Sequence, residues 1–215
     1  MRTLLISGND TGIGKTHVTG LLAGALARRG LAVQVVKPIE TGRGPGEAGD
    51  ADTAAAAAGR GVVPVTLFRF AEPLAPLEAA RLEGRRVSLG DLRDALDRLA
   101  PCDWRLVEGA GGLAVPVDED GSDWTDVARV CGAEAIVLVV EDRLGSINQA
   151  RLLASHCRLK GAANPIVFLN AVRPPPPEVA RSNRVGLDRA GVRCVGSGRV
   201  EDLLVALANR AENAA

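Results

Sequence analysis

Short apolar runs alternate with stretches of helical periodicity along the chain. The runs at residues 3–7, 32–37, 104–108, 135–140, 166–170 and 192–195 read as strands, and 16–29, 52–59, 89–99, 124–131, 146–159, 178–190 and 200–211 read as helices. Apolar runs without alternation mark strands buried on both faces, and helices between such strands make right-handed crossovers. The expected fold is therefore α/β, one domain over 1–215, its central sheet mostly parallel and its helices on both faces. Gly/Pro-rich segments at 42–49 and 174–177 read as loops within that domain. The alanine run at 54–58 favours helix.

Ligands of such a sheet bind beyond the carboxyl ends of its strands. Gly8, Lys37, Glu108, the pair Glu141 and Asp142, and Asn170 stand at those ends. Chemistry-bearing residues at five successive strand ends point to one site.

Composition narrows what that site handles. The 26 Lys plus Arg balance 26 Asp plus Glu, so no broad basic face points to nucleic acid or an anionic membrane. The apolar stretches are too short to span a bilayer. Residues 1–7 run straight into a Gly-rich motif, and Cys102, Cys131, Cys157 and Cys194 form no C-x-x-C pair. Both features lead to the expectation of a cytoplasmic protein without a leader, its thiols reduced. Only three basic residues are lysines, Lys15, Lys37 and Lys160, and the other 23 are arginines. A chain that uses arginine for ordinary surface charge keeps lysine where a compact ammonium is required.

Lys15 closes the segment GNDTGIGKT, residues 8–16. Five residues separate Gly8 from Gly14, one more than the standard phosphate-binding loop holds, so only the Gly14-Lys15-Thr16 end matches that pattern. The context, a strand before and a helix after, suits phosphate binding by backbone N–H groups at a helix start. Lys15 would reach the β- and γ-phosphates and the Thr16 hydroxyl would hold Mg²⁺; the bland alternative is a Gly-rich turn beside an exposed lysine. Lys37, in KPIETG, would add a second fixed positive charge for phosphoryl oxygens, or merely end a strand before a proline. Glu108, ahead of Gly109-Ala110-Gly111-Gly112, suits Mg²⁺ as a hard oxygen ligand, and the glycines would let substrate approach backbone. Asp52, with Asp50, opens a helix and is either another metal carboxylate or a helix-terminal charge. Gly145, Ser146 and Asn148 begin a helix that can bind a carboxylate or simply carry a serine cap. Asn170 could read an adenine edge or make an ordinary turn.

Taken together, GNDTGIGKT, KPIETG, FAEPLAP (70–76), LVEGAGGLAVP (106–116), RLGSINQA (143–150) and LNAV (169–172) resemble the dethiobiotin synthetases, over roughly three quarters of the chain. The extra loop residue is a feature of that family. The resemblance implies a P-loop NTPase-like fold and a cytoplasmic homodimeric ligase of biotin biosynthesis. Its substrates would be 7,8-diaminononanoate, CO₂ and ATP with Mg²⁺, joined through a carbamate and a carbamic-phosphoric anhydride. It also implies roles for residues here. Lys15 and Lys37 would be catalytic, and Gly12, Ile13, Gly14, Lys15, Thr16, His17 and Asn170 would bind nucleotide. Thr11, Thr41, Gly111, Gly145, Ser146 and Asn148 would bind substrate, the last three across the dimer interface, with Thr16, Asp52 and Glu108 organising Mg²⁺. The chain departs from the family after Arg173, where Gly196-Ser197-Gly198-Arg199-Val200 replaces the usual Ile-Pro, in having no tyrosine, and at Glu40, where Gln or a small residue is usual.

The chief rival is a partition-type P-loop switch ATPase. Those proteins carry a signature lysine near the loop start, where this chain has Asn9-Asp10, and its neutral charge offers little to DNA or membrane. ATP-dependent amidoligases of cofactor synthesis need an ammonia source that 215 residues leave no space for.

Overall fold

The computed structural model describes residues 1–44, 46–162, 165–196 and 200–211, without the side chains of 208–211. The first half holds β1 (Arg2–Gly8), α1 (Lys15–Ala27), β2 (Val33–Thr41), α2 (Asp50–Ala58), β3 (Val62–Phe70), α3 (Pro76–Leu82), α4 (Leu89–Asp97) and β4 (Trp104–Glu108). The second holds α5 (Trp124–Val130), β5 (Ala135–Glu141), α6 (Ser146–Leu159), β6 (Pro165–Asn170), α7 (Pro177–Arg189), β7 (Cys194–Val195) and α8 (Val200–Ala211). The strands form one sheet in the order β3-β2-β4-β1-β5-β6-β7, and each neighbouring pair is parallel.

Because side chains alternate along a strand, each run feeds two cores. Ile136, Leu138 and Val140 of β5 pack with Leu92, Trp124 and Leu187 on one face, whereas Ala135, Val137 and Val139 pack with Leu22, Leu26 and Leu203 on the other. Helices α3 to α7 cover the first face; α1, α2 and α8 cover the second. Each fully buried Leu, Ile or Val contributes about 1.5–3 kcal/mol, so this double burial explains why the strands read as unbroken apolar runs.

Two elements carry no periodic signal. β3 is a half-exposed strand at the sheet edge with Pro64 inside it, a residue that sheets tolerate only at edges. α3 is a single short helix started by Pro76. β2 also runs past its expected end at Lys37, through Pro38 to Thr41. Beyond Val36 it pairs with β3 but not with β4, so Pro38 breaks no ladder on the β4 side. α2 starts at Asp50 rather than Asp52, a shift that matters below. Ser197, Gly198 and Arg199 of the divergent segment lie outside the described residues. No helix among the described residues is long and apolar enough to cross a membrane.

Candidate active site

The loop between β1 and α1 turns on Gly14, whose φ of 89° is left-handed. A Cβ there would stand 2.2 Å from Asn170 Nδ2, so both conformation and space call for glycine. Asn170 Nδ2 donates to the Ile13 carbonyl at 2.8 Å. The residue expected to face adenine therefore braces the loop from β6, and the Ile13 side chain is buried in the core. Lys15 Nζ donates to the Asp10 carbonyl at 2.6 Å. Burial, then the like charge of Lys37, pushes the Lys15 ammonium down to about 8. A cation held this way gains from any anion brought into the loop.

Adjacent strands β2 and β4 place Lys37 and Glu108 side by side, 2% and 1% exposed. Lys37 Nζ lies 3.0 Å from Glu108 Oε1 and 2.5 Å from Asp50 Oδ2, and donates to the Gly109 carbonyl at 3.3 Å. Thr16 Oγ1 donates to the same Glu108 oxygen at 2.8 Å. Burial alone would depress the Lys37 ammonium, but Glu108 and Asp50 outweigh it and hold it above its ordinary range. Burial likewise opposes ionisation of Asp50, and Lys37 reverses the balance, keeping that carboxyl low. Glu108 Oε2 is buried without a hydrogen-bond partner.

That orphaned oxygen tests the expected metal. A carboxylate with a free oxygen, a threonine hydroxyl and the Asp50 carboxylate form a hard donor set of the kind Mg²⁺ takes alongside phosphate oxygens and water. No group of three or more His, Cys, Asp or Glu among the described residues makes a metal site alone. The residues fit Mg²⁺ in company with a nucleotide.

Asp52 is not among them. Its Oδ2 accepts from the Gly49 N–H at 2.8 Å and lies 3.9 Å from Arg69 Nη2. As the third residue of α2 it folds back to cap the helix, and Asp50, two positions earlier, lines the cleft instead. The Gly49-to-Asp52 spacing was the available signal, because an acidic residue three positions beyond a helix N-cap caps by preference. Glu40, for which the sequence offered no role, is 3% exposed and accepts from the Asp50 N–H at 2.7 Å.

Thr11, Gly12, Gly14, Lys15, Thr16, Lys37, Thr41, Glu108 and Gly111 line one cleft of about 840 Å³ together with Asp50 and Glu40. The glycines after Glu108 do not all serve a ligand. A Cβ at Gly109 would meet the Trp124 ring at 2.8 Å, and Trp124 Nε1 donates to the Ala110 carbonyl at 2.8 Å. Gly109 thus lets the turn close on a wholly buried indole. His17 is exposed on α1 and does not line the cleft. Gly145, Ser146 and Asn148 belong to the turn from β5 into α6, also outside the cleft lining. Ser146 Oγ is buried 2.6 Å from the Glu141 carbonyl and 2.5 Å from that of Arg143, so its hydroxyl serves its own turn, while Gly145 and Asn148 are exposed.

Residues 2–203 match the profile of a family described as an AAA domain. An ATP-dependent dethiobiotin synthetase of Anaeromyxobacter sp. (strain Fw109-5) is 41% identical over 174 residues, which span 79% of this chain and 77% of that protein. One of the same name from Frankia casuarinae is 39% identical, spanning 97% of this chain and 92% of its own length. A solved ParA family ATPase from Chlorobium tepidum TLS superposes with a TM-score of 0.58 at 14% identity, over 91% of this chain and 83% of that one, a likeness of fold alone. At these identities and coverages the chain belongs to the dethiobiotin synthetase family.

Proposed function

We propose that, as a member of this family, the chain is an ATP-dependent cyclo-ligase that carboxylates 7,8-diaminononanoate with CO₂ and closes the ring to dethiobiotin, releasing ADP and phosphate. The observation that carries the reading is the meeting, in one cleft, of two buried lysines, one opening α1 and one on β2, with Glu108 and Asp50. Such a site is built to gather anionic oxygens rather than to supply a nucleophile. The thiols support this: burial pushes Cys131 and Cys157 up to about 12, and neither lines the cleft.

The reaction needs two anionic groups held together, a carbamate and the phosphates of ATP. One substrate amine adds CO₂ and loses a proton, giving a carbamate; a carbamate oxygen displaces ADP from the γ-phosphorus; the second amine attacks the carbamoyl carbon, gives up a proton and expels phosphate. Lys15 would turn from the Asp10 carbonyl to the β- and γ-phosphate oxygens, where its ammonium is stabilised by the charge it neutralises. Lys37, already fixed by Glu108 and Asp50, would meet the carbamate without reorganising, and Thr41, on the same strand end, would donate to a substrate oxygen. Thr16, Glu108 and Asp50 would hold Mg²⁺, which supplies compact positive charge to the phosphates when bound.

The remaining parts of this reading are a homodimer acting in the cytoplasm, with Gly145, Ser146 and Asn148 contacting the substrate carboxylate of the other subunit's site. The exposed Gly145 and Asn148 leave that turn available to a second copy. Purified protein mixed with diaminononanoate, bicarbonate, Mg²⁺ and ATP should yield dethiobiotin by mass. ATP hydrolysis indifferent to the diamine would instead favour the switch-ATPase reading.

A further inference from the structure

The Asp50 carboxylate reaches Lys37 from the first residue of a helix whose N-cap, Gly49, has no side chain to hold it. Asp50 is also the most open member of the cluster, its side chain 32% exposed against 2% for Lys37. Something else must fix that helix start, since a free carboxylate would relax toward water.

We infer that Glu40 and Arg69 are positioning residues that fasten the start of α2 so that Asp50 meets Lys37. They are register partners at the ends of β2 and β3 and close on the segment from both sides. Glu40 Oε2 accepts from the Asp50 N–H at 2.7 Å, one of the first-turn donors that a helix leaves unpaired. Arg69 Nη1 donates to the Glu47 carbonyl at 2.6 Å and to that of Gly44 at 3.3 Å, pinning the loop that leads into α2. Its Nη2 stands 3.9 Å from Asp52 Oδ2, which itself receives the Gly49 N–H. Gly49 sits between the two: a Cβ on it would come within 2.4 Å of Glu40 Oε2 and 3.3 Å of Arg69 Nη2. Its φ of −91° is open to any residue, so close approach is what calls for glycine there. What Glu40 contributes is an acceptor at a fixed point. Burial pushes its carboxyl upward, and its carbonyl oxygen accepts whether or not the group is ionised.

The test compares Glu40→Gln, which keeps an acceptor, with Glu40→Ala, which removes it, and with Gly49→Ala, which leaves Glu40 intact but pushes its oxygen away. The kinetic readout rests on the proposed reaction. Glu40→Ala and Gly49→Ala should lower kcat for dethiobiotin formation by about 10–100-fold while ATP affinity measured without Mg²⁺ stays within about twofold, because the Lys15 loop is untouched. Glu40→Gln should stay within about threefold of the parent enzyme. A second readout needs no activity. With three lysines in the chain, selective ¹⁵N-lysine labelling resolves the Lys37 ammonium, whose signal should move in both alanine variants and not in the glutamine variant. Parent enzyme that makes no dethiobiotin sinks the proposed reaction alone. A Lys37 signal unmoved in Glu40→Ala, or Glu40→Gln as impaired as Glu40→Ala, overturns the positioning role.

Discussion

In the cleft, Lys37 stands between Glu108 and Asp50; between α5 and α6, Lys160 stands between Asp123 and Asp126. The two clusters share their chemistry and differ in how far it is satisfied. Asp123 Oδ1 takes the Thr125 N–H and hydroxyl, its Oδ2 takes His156 Nε2 at 2.7 Å, and Lys160 Nζ lies 3.5 Å from the same oxygen. Asp126 Oδ1 takes Arg129, and its Oδ2 takes Lys160 at 2.8 Å and the Asp123 N–H at 3.0 Å. All four carboxylate oxygens there are engaged, and Lys160 keeps about a third of its surface in water. In the cleft the lysine is 2% exposed, yet Glu108 Oε2 has no partner. A charge cluster that closes on itself holds two helices together. One that is far drier and left incomplete is suited to a ligand, since a native fold rarely leaves such a group unpaired without use.

The widest separation between the clusters should come from the two lysines. Lys37→Ala should keep the fold and lower the rate of dethiobiotin formation by about a thousandfold or more, about 4 kcal/mol of transition-state stabilisation. A rate within tenfold of the parent would refute its role. Lys160→Ala should leave that rate within about threefold and lower the melting temperature by about 2–4 °C, the shift about 1 kcal/mol makes in a chain of this size.

Next in size is a pH effect confined to the cleft. Burial and the neighbouring Lys37 push the Lys15 ammonium down to about 8, and only the ammonium attracts phosphate. ATP affinity measured by calorimetry should therefore fall as pH rises above 8, by up to about tenfold per unit. Affinity flat from pH 7.5 to 9.5 would show that Lys15 is not held as described.

The smallest effect belongs to the α5–α6 cluster and has the opposite direction. Burial alone would raise the carboxyls of Asp123 and Asp126, but hydrogen bonds from Thr125 and His156 to the first, and from Lys160 to the second, hold both below their ordinary value of 3.8. Depressed carboxyls stabilise the fold above the unfolded range, and that contribution disappears as pH falls through the lower, folded values. Asp126→Asn should flatten the acid side of a melting-temperature profile by about 1 kcal/mol and leave ring closure near normal. Parallel profiles for parent and variant would remove Asp126 from the clamp.

The same contrast shows what was legible in the sequence. Scarcity of lysine together with a Gly-rich loop located Lys15, scarcity together with a predicted strand end located Lys37, and the carboxyl-end rule located Glu108, because those features follow from the sheet itself. Scarcity also singled out Lys160, where the compact ammonium fits between two aspartates instead of serving a ligand. Asp50 and Asp52 could not be separated by residue type, only by which of them the N-cap geometry of α2 consumes. Asn170 and Ser146 were expected to contact ligands; a short amide or hydroxyl also finds backbone partners, Ile13 for one and Glu141 and Arg143 for the other, and residue type alone does not separate the two uses. β3 was hidden by Pro64, and with β3 went Arg69 and any account of Glu40.

One measurement bears on the division between the clusters most directly. The ammonium groups of Lys15, Lys37 and Lys160 can be followed together in ¹⁵N-lysine-labelled protein as a non-hydrolysable ATP analogue, Mg²⁺ and diaminononanoate are added. The expected result is that Lys15 and Lys37 shift on saturation while Lys160 stays where it was. A Lys160 signal that moves with the other two, or a Lys37 signal indifferent to the ligands, would contradict the assignment of one cluster to chemistry and the other to structure.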